Sequence, residues 1–275
     1  MAALAAVVAA CTGSAATQPA ASASAVTSTP ATASAVPALT PASTAIASPS
    51  PQPSIPGQVS PTAAITIHEL VLDPTTDSAA KARTFTFVSD GPGHVSVQVV
   101  AATTVSSTRL CLAADSGTPE CRTGVAPAFP DQVTAAAHAT WSVTLTSADE
   151  STPTVDLAIS WPSEAPSVTL TGGRFQGAPN PDALRSFSAS FAPRAAGQMG
   201  LTASWTPGPA VAGLTLVQEP TASNSTVDQA SYPSSSALSP AYTHAVAKGV
   251  TYRITLMNTS ADAGRTSLTA KISFP

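Results

Sequence analysis

The stretch TWSVTLTSAD at residues 140–149 decides the fold class, because apolar and polar side chains alternate along it. In an extended strand Trp141, Val143 and Leu145 lie on one face, while Ser142 and Thr144 lie on the other. The same alternation recurs through the chain after residue 63, and turn-forming clusters such as SDGPG at 89–93 separate the segments. The pattern predicts an all-β, antiparallel fold.

The same stretch returns later in the chain as TYRITLMNTSAD at residues 251–262. Its last four residues are identical to residues 146–149. The segment AISWP at 158–162 likewise recurs in similar form as KISFP at 271–275. The matches keep the same order along the chain, which indicates an internal duplication. We therefore expect two tandem antiparallel β-sandwich domains at 64–164 and 165–275, each large enough to enclose its own core.

The arrangement of segments within each repeat resembles the bacterial pre-peptidase C-terminal domain, a small jelly-roll-like sandwich of secreted proteins. The resemblance covers roughly residues 64–275. It rests on FTF at 85–87, GHVSV at 93–97, LCL with its DSG turn at 110–117, and TWSVTL at 140–145. In the second repeat Gly249 precedes a Thr-aromatic pair, as the family favours. Arg109 and Gly213 stand where the family commonly has an acidic residue, so no calcium-linked role is carried over. A generic immunoglobulin-like sandwich is the alternative.

The N-terminal quarter of the chain has a different composition, since no charged residue occurs before Glu69. A short apolar run at 2–10 ends at Cys11, and the VAAC segment at 8–11 resembles a bacterial lipobox, whose cysteine carries the lipid. We expect a signal peptide at 1–11 with lipidation at Cys11, followed by a disordered Ala/Ser/Thr/Pro stalk at 12–63. The alternative is an apolar N-terminus with an incidental cysteine.

Charge and hydropathy argue against nucleic-acid binding and against a transmembrane helix. A net charge of -4 provides no electrostatic footprint for nucleic acid. No apolar run is long enough for an ordinary transmembrane helix. The expected contact with a membrane is therefore the lipid on Cys11. This places an exported protein on the extracytoplasmic face or the cell surface of a bacterium.

The other two cysteines, Cys111 and Cys121, flank a segment that contains the turn formers Asp115, Ser116 and Gly117. An exported protein meets an oxidising compartment, where two nearby thiols pair. The spacing predicts a hairpin closed by a Cys111–Cys121 disulfide. A metal site would need two further soft ligands, and none lies nearby in the sequence.

Three aromatic residues of the second repeat are candidates for ligand binding. Trp205 has no aromatic equivalent in the first repeat, and it is interpreted either as a plug at the end of the core or as an exposed ring that stacks on a sugar. Tyr232 and Tyr242 lie in a loop that is enlarged in the second repeat, and such loops commonly carry binding residues. Aromatic pairs that recur in both repeats are expected to be core residues: Trp141 with Tyr252, and Trp161 with Phe274.

The sequence shows no catalytic or metal-binding motif. The four histidines lack ligand spacing, and no Gly-x-Ser-x-Gly segment occurs. We expect no catalytic residue, no metal and no cofactor. Asp149 and Asp262 are interpreted as Asx-type turns. The acidic and amide residues that precede the Phe-bearing strands could hold calcium, or could pair with Arg83 and Arg185: Asp73, Asp77, Asn180 and Asp182.

These observations favour a non-catalytic, lipid-anchored surface protein that displays two β-sandwich domains for binding or adhesion, to a carbohydrate or an extracellular protein. One alternative is an accessory or inhibitor subunit that docks a secreted hydrolase. Another is a structural envelope spacer without a ligand.

Overall fold

The computed structural model describes residues 61–72, 82–102, 106–134, 138–149, 151–175, 185–206, 210–219, 225–259 and 266–275. All of these belong to one compact unit, Pro53–Pro275. The expected signal peptide with Cys11 lies outside the described residues, as does nearly all of the expected stalk. Asp73, Asp77, Asn180, Asp182 and Asp262 also lie outside them. Within the described residues, no helix has the length and hydropathy needed to cross a membrane.

The expectation of an all-β fold is confirmed, because the described residues form sixteen strands. The strands are β1 (Thr62–Val71), β2 (Arg83–Ser89), β3 (Gly93–Ala102), β4 (Thr108–Ala114), β5 (Glu120–Gly124), β6 (Ala128–Thr134), β7 (Ala139–Ser147), β8 (Thr154–Pro162), β9 (Ser167–Phe175), β10 (Arg185–Phe191), β11 (Gly197–Thr206), β12 (Ala210–Glu219), β13 (Ser225–Ser235), β14 (Tyr242–Val246), β15 (Thr251–Asn258) and β16 (Thr266–Ser273).

The strands form two antiparallel sheets of eight strands each. Sheet A has the order β13-β12-β15-β10-β1-β8-β3-β6, and sheet B has the order β14-β11-β16-β9-β2-β7-β4-β5. The alternation seen in the sequence decides which side chains are enclosed. In β7, Trp141, Val143 and Leu145 are buried, while Ser142 and Thr144 lie on the outer face. One hydrophobic core formed in this way lies between the two sheets.

The two repeats are related by an exchange of sheets. The first repeat contributes β1–β8 and the second β9–β16, and each strand of the first repeat corresponds to the strand eight places later, which lies in the opposite sheet. The repeats pair directly where they meet, through β1 with β10 in sheet A and β2 with β9 in sheet B. The expected boundary at 164/165 falls in the turn between β8 and β9. Both sheets therefore run without interruption across this boundary, which we call the seam.

Aromatic rings from both repeats pack together at the seam. Phe87 and Trp161 of the first repeat have ring centroids 5.1 Å apart, and Trp161 meets Phe274 of the second repeat edge-on at 6.4 Å. Phe274 stacks on Phe191 at 4.8 Å, and Phe191 stacks on Tyr252 at 6.1 Å. The interpretation of Trp161 and Phe274 as core residues is confirmed. Their packing makes the core continuous from one repeat to the other.

Arg83 also acts at the seam. Its side chain is 3% exposed, and its guanidinium donates hydrogen bonds of 2.9 Å to the carbonyl oxygens of Val71 in β1 and Gly172 in β9. These described contacts are therefore to backbone carbonyls of both repeats. The acidic partners expected from the sequence lie outside the described residues, as does the side chain of Arg185.

The predicted disulfide is confirmed. Cys111 in β4 lies directly opposite Cys121 in β5, with an S–S distance of 2.06 Å and Cα atoms 4.1 Å apart. Strand β5 is the last strand of sheet B. The bond therefore holds an edge strand that has a neighbour on one side only.

Candidate functional site

The structure places Trp205 in the core, which is the first of its two sequence interpretations. The side chain is 1% exposed, and its indole Nε1–H donates to the carbonyl oxygen of Ser235 at 2.7 Å. The backbone N–H of Trp205 donates to the carbonyl of Ser236. The ring thus fixes the segment between β13 and β14 and presents no open face on which a sugar could stack.

Tyr232 and Tyr242 come to the same edge of the sandwich and are also buried, at 8% and 5% exposure. The Tyr242 hydroxyl donates to Asp228 at 2.9 Å, and a ring nitrogen of His244 lies 3.2 Å from the same carboxylate oxygen. The Tyr242 hydrogen bond lowers the pKa of Asp228, while burial and then Asp228 itself raise the pKa of Tyr242. These residues link the last strands of sheets A and B.

An open groove of about 380 Å³ lies on the outer face of sheet B. Its walls and floor are formed by Arg109, Cys111, Ala113, Pro119, Cys121, Ser142 and Thr144. The register of β4 with β5 and β7 explains this grouping, because Cys111 lies opposite both Cys121 and Thr144, and Ala113 lies opposite Ser142. The disulfide therefore closes a hairpin and also supplies an apolar surface to the groove.

The groove continues into rows of hydroxyl side chains. Thr144 lies opposite Thr84 in β2, which lies opposite Thr171 in β9, and the next row runs from Ser142 through Thr86 to Thr169 in the same way. Arg109 is exposed at one end of the groove, and no ion pair of the described residues includes it. In the second repeat, Arg253 stands at the position equivalent to Ser142.

The outer face of sheet A carries a different group of side chains, contributed by five adjacent strands. We call this group the polar row: Asp156 in β8, His68 in β1, Ser190 in β10, Arg253 in β15 and Glu219 in β12. His68 Nδ1 lies 3.0 Å from Asp156 Oδ2, and His68 Nε2 lies 2.9 Å from Ser190 Oγ. The polar row crosses the seam between β1 and β10. It therefore brings a serine, a histidine and an aspartate together from three distant parts of the sequence.

Asp156, Glu219 and Arg253 make the further hydrogen bonds and the ion pair of the polar row. Asp156 Oδ1 accepts from the backbone N–H of Glu69 at 2.8 Å, which fixes the carboxylate beside His68. The Ser190 hydroxyl donates to Glu219 Oε2 at 3.1 Å, and Arg253 Nε–H donates to Ser190 Oγ at 3.3 Å and lies 2.8 Å from Glu219 Oε1. When His68 donates from Nδ1 to Asp156, its Nε2 is free to accept the Ser190 proton. In the structure this proton is directed to Glu219, so its transfer to His68 requires rotation of the Ser190 hydroxyl.

The polar row was missed in the sequence because its members belong to no local motif. The duplication contains a signal that could have found it. On the register of the repeats, His68, Asp156 and Ser190 correspond to Thr171, Thr269 and Val88, so these three positions carry no ionisable group in sheet B. Only 9% of the residues in this chain are charged. A charged residue in the middle of a strand, at a position where the other repeat has a neutral residue, is therefore a signal of a functional site.

Asp149 forms the predicted Asx turn, since its Oδ1 accepts from the backbone N–H of Ser151 at 3.0 Å and its Oδ2 from that of Ser107 at 3.0 Å. Hydrogen bonds, the largest from the Ser151 hydroxyl, lower the pKa of Asp149 to about 2. Among the described residues, no three His, Cys, Asp or Glu side chains are grouped as metal ligands.

Comparison with known proteins gives no family for the chain. No protein-family model matches it, and no curated protein matches it. A solved structure of a xanthan lyase from Paenibacillus aligns with 82% of this chain at 12% sequence identity, with a TM-score of 0.26. This chain spans 27% of the length of that lyase chain. A score this low carries no argument about fold or function.

Proposed function

We propose that this is an exported, lipid-anchored surface protein whose sandwich binds a hydroxyl-rich ligand, a carbohydrate, on the outer face of sheet B. The observation that carries the proposal is the groove beside the disulfide, together with the hydroxyl rows that continue from it. Ligand sites of proteins are concave, partly apolar and supplied with a few placed polar groups. The groove combines all three features, and its volume of about 380 Å³ lies within the range of small-ligand sites.

The chemistry of the groove matches a sugar ring. Ser142 and Thr144 can each donate and accept a hydrogen bond, as ligand hydroxyls also do. The disulfide and the side chains of Ala113 and Pro119 provide an apolar surface for the C–H face of the ring. Arg109 adds a cation that can donate several hydrogen bonds to neighbouring ligand oxygens. The adjoining Thr and Ser rows extend the same chemistry along a polymer.

The binding experiment uses the full chain on an array of bacterial and plant polysaccharides. The variant Thr144→Val with Arg109→Ala removes a floor hydroxyl and the cation of the groove, while Thr215→Val is the matched control on sheet A. We expect binding by the wild type and the control, and at least a tenfold loss for the groove variant. Absence of binding by the wild type would contradict the proposal and favour the spacer or the hydrolase-docking alternative.

The proposed localisation of the protein, anchored to a membrane through Cys11, is tested separately. The lipobox-like VAAC segment at 8–11 supports processing before Cys11, with the lipid attached to that cysteine. Intact-mass measurement of protein from the membrane fraction should give a chain that begins at a lipidated Cys11, and Cys11→Ser should move the protein out of that fraction. A mature chain with another N-terminus would refute the anchor.

A further inference from the structure

We infer that Asp156, His68 and Ser190 form an acyl-transfer site, in which Ser190 is the nucleophile toward a carboxylic ester. This activity lies on sheet A and goes beyond the binding proposed for sheet B. The two heavy-atom distances, 3.0 Å from Asp156 to His68 and 2.9 Å from His68 to Ser190, are those required for proton transfer between the groups. The order carboxylate–imidazole–hydroxyl is the arrangement that activates a serine, whatever the fold that carries it.

The backbone fixes the geometry of this site. The residue after His68, Glu69, has a φ of 56°, and its N–H holds Asp156 Oδ1. The bulge at this point turns the end of β1, so that the imidazole lies between β8 and β10. The side chains of His68 and Asp156 are 15% and 28% exposed, which keeps the imidazole ordered and yet within reach of a reactant from solvent.

Arg253 supplies the positive charge that the reaction needs. Its Nε–H already points at Ser190 Oγ, and Glu219 holds the guanidinium in place through a 2.8 Å ion pair. Negative charge that develops on the ester carbonyl oxygen would be stabilised by the guanidinium, as by donors preorganised at such an oxyanion. Glu219 is therefore a positioning residue for Arg253, although it also competes with His68 for the Ser190 proton.

The reaction proceeds in two balanced steps. Ser190 Oγ attacks the acyl carbon while its proton passes to His68 Nε2; the bond from the acyl carbon to the alcohol oxygen then breaks, and that oxygen takes the proton from His68. Water next attacks the acyl-Ser190 ester and gives its proton to His68, and the proton returns to Ser190 Oγ as the carboxylic acid leaves. No oxidant, reductant or cofactor is consumed.

The surroundings of Ser190 indicate a short acyl group. Thr66 lies directly opposite Ser190 in the register of β1 with β10, and the nearby Ala64 and Ala192 are exposed small residues. This surface offers room over the seam but little apolar area for a long chain. An acetyl or similarly small ester of a hydroxyl-rich molecule is the class of substrate that fits.

Sheet B provides the internal control for this inference. Thr171, Thr269 and Val88 occupy the positions equivalent to His68, Asp156 and Ser190, and sheet B forms the corresponding strand pairs with them. The fold therefore does not require an ionisable row at this place. Its presence on one sheet only is explained by a chemical task on that sheet.

The test is covalent labelling of the full chain with a fluorophosphonate, a probe that phosphonylates activated serines, followed by mass mapping. We expect one adduct on Ser190, none in Ser190→Ala, and a rate at least about 100-fold lower in His68→Ala, because positioned bases contribute at least that factor. Thr269→Ala, at the sheet B position equivalent to Asp156, should label like the wild type. Hydrolysis of p-nitrophenyl acetate should follow the same order.

Two further variants keep the result independent of folding. Asp156→Asn should slow labelling, because the imidazole loses the carboxylate oxygen that orients it through Nδ1. Arg253→Gln, which removes the positive charge beside Ser190, should also slow labelling. No adduct on wild-type Ser190, or an adduct that forms equally fast without His68, would overturn the inference while leaving the sheet B binding result untouched.

Discussion

Replacing Trp161 tests whether the core is continuous across the seam. The side chain is fully buried, and its ring contacts Phe87 of the first repeat and Phe274 of the second. Its indole Nε1–H finds no acceptor among the described residues. Trp161→Ala removes the contacts of both repeats at once. Trp161→Phe keeps most of the ring, removes the unpaired donor and installs the residue that the second repeat has at the equivalent position, Phe274.

The magnitudes follow from these contacts. Truncation of a buried Trp to Ala costs about 3–5 kcal/mol, so we expect Trp161→Ala to lose about 4 kcal/mol of unfolding free energy. For a folded region of roughly 200 residues this lowers Tm by about 10–15 °C. In Trp161→Phe the loss of ring atoms is offset by removal of a buried unpaired N–H, which costs about 1–3 kcal/mol. The net change should stay within about 1 kcal/mol.

The assay is urea unfolding of the full chain, followed by far-UV circular dichroism because the substitution removes a fluorophore. The reasoning requires the two variants to differ by about 3 kcal/mol. If Trp161→Phe were as destabilising as Trp161→Ala, the indole N–H would be a stabilising group rather than an unpaired one. If neither variant changed the unfolding free energy, Trp161 would not be the joint between the repeats.

Three further predictions concern single contacts. Replacement of Cys111 and Cys121 by Ala should lower the unfolding free energy by about 3 kcal/mol, the chain-entropy value for a loop of 10 residues, and reduction of the wild type should match it in urea unfolding. The pKa of Asp149 is lowered to about 2, so its contribution to the unfolding free energy is complete above its ordinary pKa of 3.8 and disappears as pH falls through about 2. Asp149→Asn should flatten the dependence of the unfolding free energy on pH in this range, and an unchanged dependence would contradict the prediction. Ser89→Ala leaves the buried Nε1–H of Trp141 without its acceptor at 3.1 Å and should cost about 1–3 kcal/mol, whereas a neutral result would show that water replaces the hydroxyl.

The strands and their buried faces could be predicted from the sequence, because alternation alone determines them. Trp141, Val143 and Leu145 are buried as the pattern requires. The disulfide could be predicted for a similar local reason, since Cys111 and Cys121 flank a short turn. Such features depend on a few neighbouring residues and on the period of an extended chain.

The pairing of the repeats with each other could not be read in the same way. The duplication indicates two units of similar sequence, but the same alternation serves an edge strand and a strand with two neighbours. Only the pairing of Ile65 with Phe191 and of Phe85 with Leu170 shows that the sheets continue across the seam. Sequence alternation carries no information about which strand lies beside which.

The candidate sites show the same limit. The sequence leaves Trp205 open between a plug of the core and an exposed ring, and it predicts an enlarged loop for Tyr232 and Tyr242. The two tyrosines lie instead in strands β13 and β14, and all three side chains are buried. His68 and Ser190 could not be recognised as a sequence motif, because 122 positions separate them. They come together only because β1 and β10 are neighbours in sheet A, and that pairing is a consequence of the seam.

Differential scanning calorimetry of the full chain tests the central claim, that the two repeats form one sandwich with a shared core. Strand pairs in both sheets and the aromatic contacts of Trp161 and Phe274 join the repeats, so they should unfold together. We predict a single transition in which the calorimetric and van't Hoff enthalpies agree. Two resolved transitions, or a van't Hoff enthalpy near half the calorimetric value, would show instead that each repeat unfolds independently.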